Sequence, residues 1–169
     1  VDLDAAGVPA FWVAALAGTI TFGSLMGALF LGAQFTQNVL GYDSLKAALM
    51  TLPMSLMLII ISPFAGRMVQ ARGSRVTLAF GLVVVAVGFI IMIVTWHEGA
   101  SVFVVLLSYA VVGAGVGACA TPAAHALMAS LPVSRAGMGS AFTDLTRDFG
   151  GAIMQAVMGT LLAVVYANY

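Results

Sequence analysis

The stretch FTDLTRDFGGAIMQ, residues 142–155, sets Asp144, Arg147 and Asp148 into a run that is otherwise almost wholly apolar. The 169-residue chain holds only six basic and six acidic residues, so three charges within five positions ask for a chemical reason. A carboxylate can take up and release a proton, and in its charged form it attracts cations. Arg147 stands three residues from Asp144, at contact spacing on a helix. At about 100° per residue, Gly137, Ser140, Asp144, Asp148, Gly151 and Gln155 share one narrow stripe, with Arg147 just beside it.

The medium around these charges follows from composition. Hydrophobic residues make up 62% of the chain and charged residues 7%, with mean hydropathy +1.12. Soluble domains carry roughly 25% charged residues, so lipid is the expected solvent. A charge at the bilayer centre costs roughly 2.5–3.5 kcal/mol on insertion scales. Such residues face a protein interior or a wet cavity and mark an ion or substrate path. Two readings follow. A buried Asp144–Arg147 ion pair could clasp the bundle, but it leaves Asp148 surplus. Alternatively, two close acids and one base in low dielectric are most stable with one proton bound, which suits a proton-driven device. The surplus acid favours the second reading.

Five apolar runs must position this cluster, each near the roughly 20 residues a spanning helix needs. The expected fold class is all-α, an integral membrane helical bundle of five transmembrane helices. The spans fall at about 9–39, 46–68, 76–96, 101–130 and 137–166. Connectors are expected at 38–43, 70–74, 97–100 and 131–135, where Gly and Pro stop helices. Arg67, Arg72, Arg75 and Arg135 gather on one side, against Lys46 on the other. The Arg side, and with it the start of the segment, is therefore expected to be cytoplasmic. Trp12 near one face, with Trp96, Tyr166 and Tyr169 near the other, suits interfacial anchoring. The chain opens on Val1 and has an odd number of spans, so a piece of a longer protein is expected.

Other helix faces carry milder signals. Gly23 and Gly27 form a GxxxG that admits a close helix neighbour, and Phe30 and Gln34 continue the same stripe. Gln34 should face inward, for substrate contact or plain interhelical bonding. Met50, Met54 and Met57 line one side of span two, as core or as an adaptable binding wall. Gly113-Ala114-Gly115-Val116-Gly117-Ala118 matches a dinucleotide-binding pattern but lacks the strand–turn–helix context, so it reads as a second close-packing face. Pro122 should kink that helix. His125 is either an interfacial histidine or a proton relay. Cys119 reads as small core filler. No metal cluster, nucleophile–base pair or phosphate loop stands out, so no enzyme is expected. The zero net charge gives no reason to expect nucleic acid.

GRMVQARGSR, residues 66–75, resembles the loop signature of the major facilitator superfamily, G-x-L-x-D-R-x-G-x-R/K. Gly66, Met68, Gly73 and Arg75 fit it, while Gln70 and Ala71 replace its Asp and Arg. QNVLGYDSLKAALMTLP (37–53), GAGVGACATPAAHALMASLPVSRAGMGSAF (113–142) and RDFGGAIMQAVMGTLL (147–162) resemble the second half of fourteen-helix drug:proton antiporters of the EmrB/QacA type. The resemblance implies helices nine to thirteen of fourteen, with the N-terminal half and last helix lying outside this chain. It also implies proton coupling at Asp148 and Asp144 with Arg147, and a conformational loop at Gly66, Gly73 and Arg75. Drug contact would fall to Phe30, Gln34, Met54, Met57 and Gln155. The implied activity is proton-coupled export of cationic or amphipathic drugs across a bacterial inner membrane, with no cofactor beyond the proton gradient. The implied partners are small-molecule drugs, membrane lipid and the remainder of the transporter. Two rivals stay open: a facilitator for a sugar or organic acid with Arg147 binding substrate, and a non-transporting scaffold.

Overall fold

The computed structural model describes residues 9–129 and 136–167, with side chains for 12–128 and 137–164. Helix α1 spans Pro9–Gln34 and passes into a π-turn at Phe35–Val39. A short α2 (Ser44–Met50) leads into α3 (Leu52–Arg72), followed by α4 (Ser74–Thr95), α5 (Val102–Ala129) and α6 (Ala136–Ala167). Among the described residues four stretches are long and apolar enough to cross a membrane: Trp12–Val39, Ser44–Arg72, Ser74–Thr95 and Val102–Met128. The chain is an all-α membrane bundle. Helix α6 runs for 32 residues, and after its charged cluster the sequence carries no Asp, Glu, Lys or Arg from Phe149 onward.

The connector between α3 and α4 is shorter than the sequence implies, while the one expected at 97–100 widens to 96–101. Helix α3 continues to Arg72, so the 70–74 connector reduces to Gly73, whose φ of 84° only glycine adopts without strain. Polar residues here prolong the helix beyond the apolar run, because a helix satisfies its own backbone in either solvent. Span two is interrupted at Thr51, and Pro53 sits in the first turn of α3, where its missing N–H costs nothing. Asp43 caps α2 by accepting from the Lys46 backbone N–H at 3.1 Å. The expected 131–135 connector, with Arg135, and the Tyr166 and Tyr169 side chains lie outside the description.

Helix α5 is the centre, with α3 and α4 packed along it and α1 on another side; α6 lies along α1. Its glycines explain the closeness. A Cβ on Gly113 would strike the Met54 carbonyl, and one on Gly117 would come within 2.8 Å of the Leu58 carbonyl. Gly115 would meet the Val85 backbone N at 2.6 Å. This is the close-packing face read from the sequence. Pro122 is buried inside α5, and buried Cys119 packs against Gly81. Buried threonine hydroxyls are satisfied within their own helices: Thr21 donates to Ala17 O at 2.7 Å and Thr77 to Gly73 O at 3.0 Å. Without water to compete, such local bonds remove the cost of a polar atom in lipid.

Candidate functional site

Helix α6 is positioned by α1. The two run parallel, with Gly18 against Thr146, Gly23 against Gly150 and Gly27 against Met154. A Cβ on Gly23 would lie 3.0 Å from the Gly150 carbonyl, and one on Gly150 would strike the Thr19 carbonyl. The Gly23–Gly27 pair thus admits a close neighbour, as expected, and that neighbour is the helix with the charges. Buried Thr146 and Gly150 face α1. Gly137, Ser140, Asp144, Asp148 and Gln155 remain uncovered by the rest of the chain. Gly151 leaves the expected stripe. It is buried, and a Cβ there would sit 3.1 Å from Met26.

Arg147 does not clasp Asp144. Its guanidinium lies 5.1 Å from the centroid of the Phe22 ring on α1. Among the described residues no carboxylate lies within 4.0 Å of it. A cation over a ring within about 6 Å is attracted by about 0.5–1 kcal/mol when exposed, and by about 2 or more when desolvated. The level matters. Phe22 stands about 5 Å from the middle of the Trp12–Val39 span, at 1.5 Å rise per residue. Arg147 and its neighbour Asp148 therefore lie alongside the apolar Trp12–Val39 stretch of α1. Asp144 is one turn, about 6 Å, nearer the start of α6.

The other expected site residues divide. Gln155 sits on α6, with its amide nitrogen 3.9 Å from the Met26 sulfur. Phe30 is half-buried on α1. Gln34 accepts from Asn38 Nδ2 at 2.6 Å and lines a groove of about 350 Å³ with Phe35, Phe89 and Trp96. Met54 is fully buried, clamped under Gly113 in the α3–α5 seam, so it is a core residue. Met57 is half-buried on the same helix. Among the described residues helices α3 and α6 make no packing contact, so Met54 and Met57 lie apart from the charged cluster. Gly66 and Gly73 lie at the α3 end, and exposed Arg75 borders a groove with Val13, Ser74 and Leu82. His125 is exposed near the end of α5.

Two features carried no readable signal in the sequence. Phe22 looks like any apolar residue until α6 is laid beside it. Gly150 is indistinguishable from Gly151 in sequence, yet only Gly150 makes the backbone contact.

The comparisons with known proteins fit this architecture. The family model of the Major Facilitator Superfamily matches residues 3–155. The chain belongs to the major facilitator superfamily. Its relatives in the superfamily include the multidrug resistance protein Stp of Mycobacterium tuberculosis, 37% identical over 84% of this chain. The multidrug efflux pump LfrA of Mycolicibacterium smegmatis is 30% identical over 99%, and the drug efflux pump JefA of M. tuberculosis is 31% identical over 96%. The matches cover 26%, 33% and 32% of those relatives' own lengths, so the chain spans about a quarter to a third of each. As a facilitator-superfamily chain with four apolar spans, it is an integral membrane protein.

Proposed function

We propose that this chain is part of a proton-coupled multidrug efflux transporter exporting cationic or amphipathic compounds. The observation that carries the reading is the uncovered pair Arg147 and Asp148 alongside the apolar stretch of α1, with Asp144 one turn nearer the helix start, on a helix whose opposite face is locked against α1. Charges so placed need a wet cavity, which the remainder of the transporter would close. The drug-efflux names of the relatives support the cargo class. Transporters of this kind work by rocking one bundle against another around a site near the midplane. The reading places the Arg-rich ends and the start of the segment in the cytoplasm of a bacterium, in its inner membrane. It needs no cofactor beyond a proton gradient, and it makes the protein a carrier rather than an enzyme.

In the proposed cycle, Asp148 or Asp144 takes a proton from outside, loses its attraction for a cation and releases the drug. On the inside it gives up the proton, and its negative charge draws the next drug. Phe30, Met57 and Gln155 supply an adaptable wall. Asp148→Asn in the full-length transporter is expected to abolish efflux driven by an imposed pH gradient in proteoliposomes, with folded protein recovered in normal amount. Undiminished efflux in that variant removes Asp148 from the mechanism.

A further inference from the structure

Arg147 has two kinds of partner within reach, and it takes the weaker. Asp144 is at contact spacing on the same helix face, and Asp148 is the adjacent residue. The guanidinium nevertheless rests over Phe22. The ring is well placed for this. Phe22 is half-buried, between fully buried Thr21 and Gly23, and the Gly23–Gly150 contact fixes α1 against α6 at that level. No competing charge intrudes. Between Trp12 and Val39, α1 has no ionisable side chain. The other helix against α6 is α5. Of its ionisable groups, Tyr109 faces Gly32, Cys119 faces Gly81, and exposed His125 lies near the helix end.

We infer that Phe22 is a positioning residue, whose ring seats the Arg147 guanidinium and keeps it from closing an ion pair on Asp144 and Asp148. This rests on the proton-exchange reading above. A cation bonded to a carboxylate stabilises its charged form and opposes proton uptake. An uncharged ring holds the same cation without neutralising it. The carboxylates are then left open to a proton or to a cationic ligand. Phe22 acts through Arg147 and need not touch the cargo.

The test is the pH profile of efflux by the full-length transporter in proteoliposomes. Phe22→Leu and Phe22→Met remove the ring but keep an apolar side chain; the methionine variant covers the case where leucine folds poorly. Each is expected to move the midpoint of the profile to more acidic pH by about one unit, because Arg147 falls onto the aspartates. Phe22→Tyr retains the ring and is expected to keep the wild-type midpoint. A merely structural residue would lower the amount of folded protein without moving the midpoint. Wild-type midpoints in both ring-less variants, or an equal shift with tyrosine, overturn the inference. If Asp148→Asn abolishes proton-driven efflux while these midpoints stay fixed, only the role of Phe22 fails. If Asp148→Asn leaves efflux intact, the proton reading itself fails.

Discussion

The α3–α5 seam and the α1–α6 seam are built alike. Each joins two parallel helices, and in each a glycine lets backbone meet backbone: Gly113 at Met54, Gly150 at Thr19. They differ in what they hold. Around Met54, Leu58, Gly113 and Gly117 the sequence places no Asp, Glu, Lys or Arg, and the result is core. Around Gly23 and Gly150 the same device holds Phe22 under Arg147 and turns Asp144 and Asp148 outward. Close packing is thus used once to make a rigid unit and once to fix a charged helix in register.

Alanine at the two contact glycines should break this comparison most severely. Gly113→Ala and Gly150→Ala each push a methyl into a backbone carbonyl, and each is expected to cost about 1–3 kcal/mol of stability. Thermal unfolding in detergent measures the loss. Only Gly150→Ala should also shift the pH profile of efflux, since it displaces α6 relative to Phe22. Equal shifts in both variants would mean that the seams are not functionally distinct.

Smaller effects sharpen the picture. Tyr109 on the central α5 points its hydroxyl at Gly32 of α1, fully buried and with no hydrogen-bond partner. An unsatisfied buried hydroxyl is destabilising, so Tyr109→Phe should stabilise the fold by about 1 kcal/mol. A loss of stability in the melting curve would reveal a partner for that oxygen. Smallest of all, Gly159→Ala places a methyl where nothing lies within 4 Å. It should be neutral or stabilising by less than about 1 kcal/mol, from helix propensity alone. A large loss there would show that close packing on α6 extends as far as Gly159.

Much of this was legible in the residues. The apolar runs mark the helices because lipid demands internally bonded backbone over about 20 positions. Glycines at four-residue spacing announced both seams. The charged triplet marked the candidate site. Partnering was not legible. Gly23 and Gly27 predict some close neighbour, not α6, and the wheel that grouped Gly151 with the acids assumed a straight, evenly covered helix. Met54 shared the sequence pattern of a binding wall and proved to be core, because periodicity gives the angle of a side chain but not what stands opposite.

Composition and spacing alone established a membrane bundle, its rod-like segments, and a costly group of acids and one base on the last of them. Those properties are local, arising from solvent transfer and helical geometry within a single segment. Only the tertiary structure decided that the base leans on an aromatic ring instead of an acid, and that the acids point away from this bundle. Such choices depend on which helices lie side by side, and no single segment encodes the identity of its neighbour.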